Sequence, residues 1–259
     1  MNVKKGKMDC LDVRKALFFA VNTQALIDLS GGREFYGDPG DNPVKPVLGL
    51  DYAKTKGNIS DPNWKITGNP TYAASLMTKA KTSCPDAHAR ATSADKGIVW
   101  DIAQSATNQK ASVLIQDAAK EAGIVVKFNF IPSGQYYSTV LNGDKQNDIS
   151  SAGWGADWAN ASTVIPELFT KEGGFNLSQN WDDAAYAAFK KKSDAAKIET
   201  NRTKQAGMWK ELSQYVMDQY WIIRPVFSKT QEVWGSKVGG VYYWEPQGNF
   251  GFGQMYVKN

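Results

Sequence analysis

Residues 98–158 read IVWDIAQSATNQKASVLIQDAAKEAGIVVKFNFIPSGQYYSTVLNGDKQNDISSAGWGADW. No other part of the chain is so regularly punctuated. Ile98-Val99-Trp100-Asp101-Ile102 is an apolar run of strand length, and Ile124–Phe130 is another, both rich in β-branched and aromatic side chains. Between them, residues 109–122 predict a helix. Val113, Leu114, Ile115, Ala118, Ala119 and Ala122 turn inward, and Gly123 stands just past its end. A shorter helix carries Tyr136, Tyr137, Val140 and Leu141 and stops at Gly143. Asp148–Ala152 predicts a third strand. Strand, helix, strand, helix, strand is the pattern of a parallel sheet with right-handed crossovers.

Toward the N-terminus, Val13, Ala16, Leu17 and Ala20 form an apolar stripe that predicts a helix over residues 12–29. Asp12 is placed to cap it and Gly31-Gly32 to end it. Residues 33–68 are rich in Gly, Pro, Asn and Asp and predict a long loop with turns. Asn69-Pro70 opens another helix, with Ala73, Leu76, Met77 and Ala80 inward. Toward the C-terminus, helices are predicted over 163–171, 182–196 and 199–218, the last with Ala206, Trp209, Leu212 and Val216 on one face. Trp221–Phe227 predicts a strand, and Pro225 within it points to a sheet edge. The Gly- and aromatic-rich segment 235–253 predicts irregular structure.

Composition narrows the function classes. Of the 259 residues 42% are hydrophobic and 22% charged, so a core can form and general disorder is excluded. A net charge of +4 with no basic run argues against a nucleic-acid surface. The single histidine, His88, follows Cys84-Pro85-Asp86 and reads as a loop residue. With no second histidine, no metal site or histidine-based triad is expected, and no cofactor. Cys10 and Cys84, the two cysteines, either form one disulfide in an exported chain or are two buried thiols. No run reaches the ~18 apolar residues needed to cross a bilayer, and the polar opening is not a secretory signal. Nine Trp beside 11 Tyr and 11 Phe exceed what a core alone requires, and suit a site that holds ligands by broad aromatic surfaces.

Four segments in order carry a resemblance. They are Asp12-Val13-Arg14-Lys15-Ala16-Leu17, Gly68-Asn69-Pro70 with Ala74, Leu76 and Ala80, Ile115-Gln116 through Glu121-Ala122-Gly123-Ile124-Val125-Val126, and Gly153-Trp154-Gly155-Ala156-Asp157-Trp158. Together they resemble the extracellular solute-binding proteins that serve oligopeptide and dipeptide ABC importers (family 5). The last matches that family's Gly-Trp-x-Ala-Asp-aromatic signature. The resemblance implies a type II periplasmic-binding-protein-like α/β lobe, its mixed and largely parallel sheet flanked by helices. It assigns residues 1–227 to the second, C-terminal lobe and 228–259 to a return segment toward a larger first lobe upstream. It further implies an extracytoplasmic parent protein, secreted or lipid-anchored. The implied partners are a peptide or other small solute, the permease and that first lobe.

The same resemblance assigns roles. Asp157 holds the free ammonium of a peptide, a task suited to a carboxylate in a cleft that loses water on closure. Trp154, Trp158 and Tyr137 form aromatic walls, although Tyr136 is a candidate for the role of Tyr137. Gly155 stands where relatives carry Cys, which leaves Cys84 as the partner for Cys10 if Cys10 is bridged. Two other readings differ in chemistry. An oligosaccharide-binding relative would stack sugars on Trp154, Trp158 and Trp181. A glycoside hydrolase would need paired carboxylates, for which Asp157 and Asp182-Asp183 are the candidates. Adjacent aspartates diverge on a helix and fit capping better, so no enzymatic activity is expected.

Overall fold

The structure, a computed structural model, describes residues 1–3, 6, 8–175, 183–223, 225–244 and 249–258. The first half contains α1 (Leu11–Ala20), α2 (Thr23–Leu29), the one-turn α3 (Gly32–Phe35) and β1 (Gly37–Pro39). Two 3-10 turns, Pro46–Asp51 and Asn58–Ser60, lead to α4 (Pro70–Ser83) and α5 (Pro85–Ala91). Then come β2 (Ile98–Ala103), α6 (Ala106–Glu121), β3 (Val126–Ile131), α7 (Tyr136–Val140) and β4 (Ile149–Ser150). The second half contains α8 (Ile165–Phe169), α9 (Asp183–Ile198), α10 (Arg202–Asp218) and the short β5 (Val226–Ser228). It closes with β6 (Val238–Gly239), β7 (Tyr243–Trp244), β8 (Asn249–Phe250) and β9 (Tyr256–Val257).

The predicted parallel sheet is present, in the order β3-β2-β4 with both pairings parallel. α6 begins three residues earlier than predicted because the Ser105 hydroxyl accepts the Asn108 N–H at 3.1 Å and caps it. Its inward face is Ile115 and Ala119. Val113 is exposed and faces outward, contrary to the prediction. Gly123 has φ +75°, the left-handed residue that lets the chain leave α6 and enter β3. In β2 the buried Asp101 carboxylate accepts the Asn129 side-chain amide and both the backbone and side-chain N–H groups of Asn147, at 2.7–2.8 Å. These bonds compensate the carboxylate for lost water.

β4 is shorter than predicted, only two residues, and is fixed from below. Arg90 of α5 donates to both oxygens of Asp148, at 2.9 and 2.6 Å, and Val99 N donates to the same carboxylate at 2.8 Å. The predicted helix over 12–29 is two helices. Val21 is extended, and the Asn22 side chain accepts the Ala25 N–H at 2.9 Å and starts α2. Asp12 does not cap α1. Its carboxylate accepts Lys79 (3.0 Å) and Ser83 (2.8 Å) of α4. Burial holds the Arg14 guanidinium down to about 10, and it donates to the carbonyls of Met8 and Gln219. The Asp-x-Arg pair thus clips α1 to α4 and to the end of α10. Cys10 and Cys84 are joined beside it, with Cα atoms 6.2 Å apart.

Three further readings change. His88 lies in α5, because Pro85 at the first position starts a helix where a loop was expected. The strand predicted from Trp221 begins only at Val226, since Trp221 and Ile223 are drawn into the cores. β5 pairs antiparallel with β1, an edge pairing that admits Pro225. At Gly37 a Cβ would sit 2.2 Å from the Phe227 carbonyl, so only glycine permits this close approach. The segment expected to be irregular carries β6, β7 and β8; β7 pairs antiparallel with β8, and β6 pairs antiparallel with β9 just beyond the segment.

Among the described residues, two large apolar clusters and a small one of Ile131, Tyr136 and Val140 hold the fold. One of the large ones joins α1, α4 and α6 to the sheet. The other packs Trp209, Leu212 and Val216 of α10 against α8, α9 and Trp221. No helix among the described residues is long and apolar enough to cross a membrane.

Candidate ligand-binding site

In open parallel sheets, ligands bind beyond the carboxyl ends of the strands, where the strand order reverses. β2 has β3 on one side and β4 on the other, and residues 151–158 leave the carboxyl end of β4. Regular structure stops at Ser150. Trp154 and Asp157 therefore stand on an irregular ribbon beyond a strand that ends two residues before the predicted Ala152. Side chains shape this ribbon. Ser151 accepts the Trp100 indole N–H at 2.9 Å on its hydroxyl and the Tyr136 hydroxyl at 2.5 Å on its carbonyl. The wholly buried Thr163 holds the far end. Its hydroxyl accepts Asp157 N (3.0 Å) and donates to Asp157 Oδ2 (3.1 Å), while its carbonyl accepts Trp154 Nε1 (2.7 Å).

The Asp157 carboxylate is exposed, and among the described residues no Lys, Arg or His side chain pairs with it. Burial separates the two neighbouring tyrosines. Tyr136 is in the core, with its phenol pushed far above the usual value by that burial, whereas Tyr137 is 44% exposed. The Tyr137 ring lies 5.0 Å from Phe175, and Phe175 lies 5.0 Å from Trp154, so the three rings make one strip. Trp158 is half-exposed and donates its indole N–H to Ser162 Oγ at 2.9 Å. Three concavities use the ribbon as a wall. One of about 210 Å³ runs between Trp100, Trp154 and Phe169. A second, of about 890 Å³, runs from Trp154 and Ala156 to Lys45 and Tyr243. The third, about 450 Å³, lies between Tyr36, Tyr137 and Gly153.

The sequence reading missed Phe175, Thr163 and Lys45. Gly173-Gly174 before Phe175 is a usable signal. A Cβ at Gly173 would meet the Pro166 and Glu167 carbonyls at 2.4 Å, so glycine at this position permits the turn that presents Phe175. Trp181 and Asp182 lie outside the described residues. No group of three or more His, Cys, Asp or Glu among the described residues could hold a metal ion.

A family model described as bacterial extracellular solute-binding proteins, family 5 Middle, matches residues 1–176. The chain belongs to this family. A curated relative, the glutathione-binding protein GsiB of Shigella flexneri, is 24% identical over 222 residues. That alignment covers 82% of this chain and 40% of the relative. Among solved structures, the clavulanic acid biosynthesis oligopeptide binding protein 2 superposes with a TM-score of 0.74 at 19% identity, over 97% of this chain and 44% of that one. The ABC transporter-associated periplasmic binding protein DppA of Helicobacter pylori, solved with peptide STSA, gives 0.70 at 20% identity, over 100% and 46%. Family 5 membership and these superpositions fix the fold as a type II periplasmic-binding-protein-like lobe. The chain spans less than half the length of these relatives.

Proposed function

We propose that this chain is the ligand-facing lobe of a binding protein that captures peptides outside the membrane and delivers them to an ABC importer. The observation that carries the proposal is Asp157. Its carboxylate stands exposed on the ribbon that leaves the carboxyl end of β4, linked through Thr163 to the Trp154 indole of the aromatic strip, with its geometry set by Thr163 and its charge unneutralised by any described side chain. A peptide ammonium supplies that charge, and Trp154, Phe175 and Tyr137 supply contact area for the peptide backbone. Closure against a second lobe follows from differential affinity, because a ligand touching both lobes favours the closed state. Residues 228–259, with exposed Trp234, Trp244 and Phe252, fit a return segment that packs on that lobe.

Calorimetry of the two-lobed protein with tri- to pentapeptides tests the reading. Asp157→Asn is expected to weaken binding roughly 10- to 100-fold, and N-acetylation of the peptide to weaken the wild type equally. Half-exposed Trp158 also fits sugar stacking. Heat with cello-oligosaccharides alone, or full affinity in Asp157→Asn, overturns the peptide assignment.

A further inference from the structure

A second carboxylate, Asp51, is built into the support of the site. It ends the 3-10 turn Pro46–Asp51, its side chain is wholly buried, and it lines none of the three concavities. Its two oxygens hold two distant elements together. Oδ2 accepts the N–H of Ala161, 110 residues along the chain, at 2.7 Å. Oδ1 accepts Arg202 Nη1 at 2.6 Å. Arg202 is the first residue of α10, and its side chain is 40% exposed. Apolar residues of similar volume often serve a fold as well as a buried ion pair does. They cannot aim an acceptor at one backbone N–H.

That N–H opens the 3-10 turn Ala161–Thr163. The turn ends on the threonine whose hydroxyl sets the Asp157 carboxylate and whose carbonyl receives the Trp154 indole. Asn160, which caps the turn, is tied to α10 as well. Its amide donates to Gln205 Oε1 at 2.9 Å, and its Oδ1 accepts Ser162 N at 2.9 Å. Gln205 in turn donates to the Ala196 carbonyl of α9 at 3.0 Å. The first turn of α10 therefore grips the cap of the 3-10 turn directly and its first residue through Asp51. Thr163 follows Ala161 by two residues, so a displaced start carries the Thr163 hydroxyl with it. A binding constellation needs its groups held to within about 0.5 Å, which falls to the residues behind it.

We propose that Asp51 is a positioning residue for the ligand site, fixing Thr163 and through it the orientation of the Asp157 carboxylate. It acts through the turn and does not touch the cargo. The proposal rests on the peptide reading and adds to it the group that holds the ammonium acceptor in place.

Calorimetry of the two-lobed protein with a free tripeptide and its N-acetyl derivative tests this, and the measured quantity is the ratio of the two affinities. A loss of folded protein scales both affinities alike and leaves the ratio unchanged, whereas a misplaced Asp157 lowers it. Asp51→Asn keeps the shape, but one amide oxygen cannot accept both Ala161 N and Arg202. The ratio is expected to fall from roughly 10- to 100-fold in the wild type to about threefold or less. Adding Arg202→Gln removes the competing donor and leaves the amide oxygen to Ala161 N, so the double variant should recover most of the ratio. Melting of each variant establishes that it is folded at the assay temperature. An unchanged ratio in Asp51→Asn, an equal weakening of both peptides, or a double variant no better than the single one overturns the Asp51 assignment and leaves the peptide reading intact. A wild type that binds the free and acetylated peptides alike overturns the ammonium reading itself.

Discussion

Replacing Arg90 with Met is expected to lower the stability of the fold by about 3–5 kcal/mol, the usual cost of breaking a buried ion pair by removing one partner. Asp148 has a side chain only 1% exposed and Arg90 one that is 21% exposed, so water cannot take over. Without the guanidinium, the Asp148 carboxylate keeps the Val99 N–H but loses the cation that justifies its charge. The effect should reach the site, because Asp148 fixes the start of β4 and the ribbon bearing Trp154 and Asp157 follows directly. Thermal unfolding checks the stability, with a midpoint about 10 °C lower expected for a chain of this size. Adding Asp148→Asn keeps an acceptor for Val99 N and removes the stranded charge. The double variant should therefore recover about 1–3 kcal/mol. A double variant less stable than Arg90→Met would show that the carboxylate matters for some other reason.

Loss of the Cys10–Cys84 link is expected to cost about 4 kcal/mol. The two residues are 74 apart in sequence, and in the chain-entropy account a cross-link closing a loop of that length restricts the unfolded chain by about this amount. The link ties the start of α1 to the end of α4, the pairing that also carries the Asp12 contacts with Lys79 and Ser83. Cys10→Ala with Cys84→Ser avoids placing a hydroxyl at the buried Cys10 position. Melting should fall by about 10 °C in the double variant, and reductant should bring the wild type to the same level without further effect on the variant. A wild type indifferent to reductant would mean that the two cysteines stay as thiols.

The sheet was legible because β2 and β3 are short apolar runs separated by a helix with a glycine stop, signals confined to neighbouring residues. The break between α1 and α2 was not, because the stripe Val13, Ala16, Leu17, Ala20 ends before it and the Asn22 cap leaves that stripe undisturbed. β4 was overread for a similar reason. Asp148–Ala152 has strand-like residues, but its pairing with β2 ends at Ser150 and the rest is shaped by Trp100, Tyr136 and Thr163. At the site, Asp157 and Trp154 were legible only through the Gly-Trp-x-Ala-Asp signature. Tyr137 could not be told from Tyr136 until burial separated them. Phe175 comes 21 residues after Trp154, announced only by the glycine turn before it, and Lys45 comes 109 before it, a separation at which no local pattern reports a shared cavity.

Thr163 bonds at once to the Asp157 acid and to the Trp154 indole. If the proposed function holds, one methyl-bearing alcohol, hidden from solvent, synchronises two groups that meet the cargo at different points. A lineage acquiring a new cargo could swap the outward aromatic rings one by one, but shifting either tethered group would drag the other along. Diversification of taste in such a lobe should consequently run through its detachable surfaces, while the tethered pair is inherited as a block.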